Sequence, residues 1–358
     1  MTGVRLARGW LRRGIYLGVA LSIALAIVGV SQAAPWHSTG TTNPCTGSAL
    51  PTLGGRNGNA VAVNRDGAVV GIADDATAQS RPVMWRAGGV TPLAVPLQAA
   101  VPTAVNRHGV VVGTGYDPGA EMLVGWWWDG TTHRLPVRAG DSALPEAIDD
   151  AGRVAGALVA EHDHADGPNA DDSERAAYWP SVHTLPRQLP ALPGDDAAHA
   201  FAIAPDGTVG GVSLGAGGTP VLWDRLGRLR SLGGPGGVHG FDARSRPVGQ
   251  LAVPGGTHAV VWDAAGQPAE LGRTGISSAT DAAAASVVGF AQPRGGRSQA
   301  VIWLDGAARE LPAVSTRGFT GVAGTANAVA DTTGAITVAG FSADSVGVRR
   351  PTVWRCST

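Results

Sequence analysis

The chain is 358 residues long, and its 27 basic residues stand against 28 acidic ones for a formal net charge of −1. It contains no lysine, which excludes a Schiff-base lysine and the lysine of a phosphate-binding loop. The absence of any basic run argues against nucleic acid and against an anionic membrane surface as partners.

Residues 1–33 read as an export signal. Arg5, Arg8, Arg12 and Arg13 precede the apolar stretch Ile15–Val30, and Ser31-Gln32-Ala33 offers a small-residue cleavage site. The apolar stretch is short for a bilayer span, so a cleaved signal and an extracellular product are expected rather than a stable membrane anchor. Arg12-Arg13 resembles a twin-arginine signal only weakly, and the ordinary secretory route is favoured. Removing the signal leaves 23 basic residues against 28 acidic ones, a net charge of −5. Residues 34–44 form a Ser/Thr/Gly/Pro linker, and 45–358 shows no further break in composition.

One pattern then recurs to the end of the chain. In residues 60–93, Ala62-Val63 and Ala68–Val70 flank Asn64-Arg65-Asp66-Gly67, a tight hairpin in which Gly takes positive φ. A second hairpin pairs Val83–Trp85 with Val90–Leu93 through Arg86–Gly89. These four short strands are named a to d in chain order. The unit returns at 103–135, 146–185, 201–232, 240–271, 278–311 and 327–356. Two copies lack the hairpin Gly and carry Ser245 and Ala284 there. The repeat tryptophans Trp85, Trp128, Trp179, Trp223, Trp262, Trp303 and Trp354 are 39 to 51 residues apart. Four strands at that period predict an all-β fold, a seven-bladed β-propeller of four-stranded antiparallel blades.

The seventh unit stops after Trp354-Arg355-Cys356, without a strand d. Residues 45–55, CTGSALPTLGG, supply one, so the N-terminal strand is expected to close the ring and remove an open sheet edge. The two cysteines, Cys45 and Cys356, fall on the two sides of that seam and are expected to form a disulfide.

Leu53-Gly54-Gly55, Ala60, Asn64 with Gly67, Val69-Val70-Gly71 and Thr257-His258-Ala259-Val260-Val261-Trp262 resemble the HAF-type extracellular repeats over 45–358. The resemblance implies a secreted repeat protein and brings no catalytic residues with it. The literal His199-Ala200-Phe201 lies in another part of the unit and does not contribute to the likeness.

Four features carry candidate chemistry. Gly211-Val212-Ser213-Leu214-Gly215 matches the nucleophile elbow of serine hydrolases, but no helix follows, so coincidence is the reading adopted. The polar insertion 161–174 holds His162, His164 and Asp166, whose spacing could bind a divalent metal such as Zn²⁺, against the plainer reading of a solvated acidic loop. No other cofactor is expected. Among Trp126, Trp127 and Trp128, the last is assigned to the core, and Trp127 could pack between blades or stack on a sugar.

The fourth feature is one position on strand a, occupied by Val61, Thr103, Glu146, Phe201, His239, Ser278 and Asn327. If strand a is innermost, Thr103, Glu146, His239, Ser278 and Asn327 ring the channel mouth as ligand-binding candidates. Loop length varies most on the side of the b–c and d–a connections, where binding is expected. These readings favour a monomeric secreted binding or scaffold module for an extracellular ligand, such as cell-wall glycan or protein. The alternative is a propeller-type hydrolase or lyase with its site at the channel mouth.

Overall fold

The computed structural model describes residues 44–160, 174–215, 217–272, 275–332 and 335–357. The expected export signal, the expected linker up to residue 43 and the metal candidates His162, His164 and Asp166 lie outside the described residues. Among the described residues, no helix is long and apolar enough to cross a membrane.

Seven four-stranded antiparallel sheets form the blades, with a two-stranded ribbon at Ser315–Thr316 and Phe319–Thr320 between the sixth and seventh. Blade one runs through Gly54–Val63, Val69–Asp75, Ser80–Arg86 and Gly89–Pro92. The inner strands of blades two to seven are Gln98–Val105, Asp141–Ile148, Ala198–Ile203, Gly236–Phe241, Ile276–Ala283 and Ala323–Thr332. Neighbouring inner strands pack side by side in cyclic order, and the seventh packs on the first. The fold is a seven-bladed β-propeller.

The a–b turns follow from Asn and Asp at the end of strand a. The Asn64 Oδ1 accepts from the backbone N–H of Asp66 (3.1 Å) and Ala68 (2.9 Å), and Gly67 takes φ 76°. Asn106, Asp149 and Asp242 cap their turns in the same way. The amide ends of the asparagines also tie one blade to the next: Asn64 Nδ2 donates to the Asn106 carbonyl at 2.9 Å, and Asn106 Nδ2 to that of Asp149 at 3.1 Å.

Between blades the core is built on tryptophan. Trp85, Trp126, Trp179, Trp223, Trp262, Trp303 and Trp354 are all at most 1% exposed. Blade two corrects the sequence assignment, because Trp126 fills the core and Trp128 is only partly buried. The two share a face, and Gly113 opposite Trp126 leaves the room: a Cβ there would lie 2.4 Å from the indole. Blade three carries a second correction. Leu189 occupies the core position after strand d, whereas Leu185 sits in the c–d loop and is 51% exposed.

Four of these seven core indoles are hydrogen-bonded and three are not, and the sequence accounts for which. Trp85, Trp179, Trp223 and Trp354 donate Nε1–H to the carbonyls of Pro51, Pro136, Pro190 and Pro312 at 2.7 to 2.8 Å. Each of those prolines follows the core Leu at the end of strand d in the preceding blade. Where that Leu is followed by Ala94, Gly233 or Gly272 instead, the indoles Trp126, Trp128, Trp262 and Trp303 have no partner.

Blade seven closes as expected. Cys45–Ala49 pairs antiparallel with Thr352–Cys356, and Cys45 and Cys356 are joined by a disulfide across 311 residues of sequence. The backbone N–H of Leu50 bonds the Pro351 carbonyl at 2.7 Å, and that of Ser357 bonds Pro44 at 3.0 Å.

The Trp–Pro bond makes a testable difference between two equally buried indoles. Trp179→Phe and Trp262→Phe remove the same volume, but only the first removes a hydrogen bond and leaves a carbonyl unpaired. Denaturant unfolding should find Trp179→Phe more destabilising by about 1 kcal/mol. Equal losses would contradict the role given to the bond.

Candidate functional site

Each inner strand carries a one-residue bulge at the same place in its ladder with the strand beside it, and blades one and two have a further irregularity near the start of that strand. The ladder between strands a and b slips by one at Val61, Thr103, Glu146, Phe201, His239, Thr280 and Asn327. A bulged residue is unpaired and its side chain is re-aimed. Here all seven line one cavity of about 300 Å³ in the channel. Thr103, Glu146, His239 and Asn327 therefore stand where the sequence suggested.

Ser278 does not. It is fully buried, with its hydroxyl 3.4 Å from the Ala279 carbonyl, and Thr280 takes the channel position. The cause is the turn of blade six. Ala283 still pairs with Ser286, leaving a two-residue turn with Ala284 at φ 49° instead of the five-residue Asx turn. Counting back from the hairpin therefore overshoots by two. The same shift hid Asp281. The residue after the bulge is Ala or Gly in six blades (Ala62, Ala104, Ala147, Ala202, Gly240 and Ala328), and in blade six it is this carboxylate.

Most of the polar bulge residues are committed to the frame. Thr103 Oγ1 donates to the Pro145 carbonyl at 2.7 Å, Thr280 Oγ1 to Ala326 at 2.7 Å, and Asn327 Nδ2 to Ala60 at 2.8 Å. Each acceptor is the residue just before the next blade's bulge, so these side chains stitch neighbouring inner strands together.

Blades three to five differ. Glu146 Oε1 lies 3.3 Å from His199 Nε2 as an ion pair, and the Nδ1 of His199 meets Glu174 Oε2 at 2.7 Å. Glu174 immediately precedes the strand Arg175–Trp179 that follows the polar insertion, and its carbonyl accepts from the Ala198 N–H at 2.9 Å. Burial disfavours a charged His199, but the hydrogen bonds and charges of Glu146 and Glu174 outweigh it and raise the imidazole to about 9. The Phe201 ring stacks on His199 with centroids 4.5 Å apart and lies 5.4 Å from His239. His239 has no compensating partner, so burial alone pushes it down to about 4, and its Nε2 is buried without a hydrogen bond. Burial likewise raises Asp281 to about 7, although the N–H groups of Val329 (2.9 Å) and Ala282 (2.8 Å) pull the other way. The three ionisable groups on the cavity wall are Glu146, His239 and Asp281. A second cavity of about 830 Å³ opens at the a–b turns, with Arg65, Arg107 and Arg153 on its wall.

Two further sequence candidates are structural. Trp127 is buried between blades two and three, stacked on His133 at 4.1 Å and edge-on to His183 at 4.9 Å. Its ring has no face free for a sugar. Ser213 is fully buried, accepts from the Leu192 N–H at 2.8 Å and donates to Asp195 at 2.6 Å, so it is not a nucleophile elbow. Among the described residues, no group of three or more His, Cys, Asp or Glu could hold a metal.

No family model matches the chain, and no curated protein does. Solved structures do. TolB from Acinetobacter baumannii is 13% identical over 68% of this chain and 63% of its own, with a TM-score of 0.46. A putative gluconolactonase is 13% identical over 88% and 92%, with a TM-score of 0.41. The lectin of Aleuria aurantia, a six-bladed propeller with fucose recognition, is 11% identical over 83% and 91%, with a TM-score of 0.33. Likeness this remote carries no function across.

The Glu146–His199–Glu174 cluster should show in stability against pH. The folded value of His199 lies above its unfolded one, so its contribution is complete below about 6.5 and is lost as pH rises through about 9. The stability lost in His199→Asn, from unfolding near pH 6 and again near pH 10, should shrink by on the order of 3 kcal/mol across that window. A loss that does not change with pH would contradict the paired imidazolium.

Proposed function

We propose that the protein is an exported binding module that takes a small ligand in the upper part of its central channel. The observation that carries this reading is the division of labour among the bulge residues. Those of blades two, six and seven are held by hydrogen bonds to the next blade, and Glu146 by its ion pair with His199, whereas Phe201 and His239 line the cavity without such a bond. A mostly apolar cavity with few polar groups suits small-molecule recognition. The disulfide fits an oxidising compartment outside the cytoplasm. Export by a cleaved signal and kinship with the HAF-type repeats belong to the same proposal, as does a cell-wall setting.

A hydrolase or lyase using the same cavity is the second reading. What favours it is Asp281, a channel carboxyl held near 7 and therefore suited to moving a proton near neutral pH. No hydroxyl nucleophile supports it, since Ser213 is bonded in the core.

The test is a thermal-shift screen of small amines, acids, alcohols and sugars against the mature protein, followed by titration of each hit. Ligands of the channel should lose roughly tenfold or more in affinity on Phe201→Ala and on His239→Ala. Turnover of ester or glycoside substrates abolished by Asp281→Asn would replace the binding module with the enzyme. Hits that neither substitution affects would move the site out of the channel.

A further inference from the structure

Among the described residues, no arginine lines the channel cavity, although three line the cavity at its other end. The ionisable groups on the wall are two carboxyls, Glu146 and Asp281, and the imidazole of His239. Around them stand Phe201, Phe241, Phe290 and Phe341, four of the five phenylalanines in the whole chain. Aromatic residues make up only 5% of the sequence, so this concentration is particular to the cavity.

We infer that the channel cavity binds a small organic cation, a primary ammonium carried on an apolar body. The inference rests on the channel being the binding site, as proposed above, and names what enters it. Three features of the wall act together on such a ligand. Phenyl faces carry negative quadrupole charge and attract an ammonium, the more so where water is excluded. Asp281 supplies the counter-charge, since Glu146 is already paired with His199 off the wall, and the Phe341 ring already carries the Arg349 guanidinium at 4.8 Å, which leaves the other phenyl rings to the ligand. The third feature is that His239 lines the wall with a ring that burial keeps neutral, so it adds no positive charge to repel the cation.

An anionic ligand meets the opposite conditions. It would enter a desolvated wall bearing two carboxyls and no guanidinium, and its charge would be left unpaired. A neutral alcohol would leave Asp281 without a counter-charge and gain nothing from the ring quadrupoles. The aromatic lining and the sign of the wall therefore select together for charge as well as for an apolar body.

The test uses three probes of one shape: 2-phenylethylammonium, 2-phenylethanol and 3-phenylpropanoate. Each is titrated calorimetrically into the mature, disulfide-bonded protein near pH 7.5. The ammonium should bind, the alcohol should bind roughly tenfold or more weakly, and the carboxylate should give no measurable heat. Asp281→Asn and Phe201→Ala should each weaken the ammonium by roughly tenfold. Two variants guard against one failing to fold, and circular dichroism checks each. Ammonium binding that neither substitution affects places the cation elsewhere and overturns the inference. Stronger binding of the alcohol or carboxylate, sensitive to Phe201→Ala, overturns the cation while leaving the channel as the site. If none of the three probes binds in a way that Phe201→Ala weakens, this inference fails, and the broader screen alone decides whether the channel reading fails with it.

Discussion

Every inner strand has one residue that its neighbour cannot pair, and seven strands in a ring must put that residue somewhere. Inward is the only direction left, because both faces of a blade are packed against adjacent blades. The bulge thus converts a repeated backbone irregularity into a ring of side chains at one height of the channel. What the protein can hold in that channel depends on these seven residues together with Asp281 and the phenylalanines beside them. The hydrogen bonds of Thr103, Thr280 and Asn327 then lock the ring, each spanning to the backbone just before the next bulge.

The frame around the ring depends on a different interaction. Each blade must be held to the one before it, and a buried Trp does this by filling the gap between them. Where a Leu-Pro follows strand d, the proline carbonyl also takes up the indole N–H, so four of the seven interfaces gain a directional contact. Closure adds the disulfide at Cys45 and Cys356, which prevents the first and last segments of the chain from separating. The ring is consequently stiff, and the channel wall is set before any ligand arrives.

Much of this was legible in the sequence, and the failures have physical causes. Repeat length, Asx turns and the seam at Cys45 are local patterns, and they led to the right architecture. Val61, Thr103, Glu146, Phe201 and His239 could be found by counting back from the turn, because that turn has a fixed length in the first five blades, while Asn327 rests on an approximate alignment of blade seven. Blade six breaks the count with its two-residue turn, which hid Thr280 and Asp281 behind Ser278. Trp126 and Trp128 lie two apart on one strand and share a face, so periodicity alone could not say which enters the core. Glu174 and His199 come together across two blades. No spacing announces such a pair, although an acid at the end of an insertion and a His two residues before a bulge are now recognisable signals.

The central claim is that two histidines a single Phe ring apart hold opposite charge states, one paired by carboxylates and one left neutral facing the channel. Nitrogen-15 NMR of the imidazoles, with His199→Asn and His239→Asn identifying the two among nine histidines, measures this directly. The account predicts that His199 stays protonated and His239 neutral throughout the range from pH 5.5 to 8, given values of about 9 and about 4. If both rings instead titrate near the ordinary value of about 6.5, the arc is open to bulk water and the account of the channel is wrong.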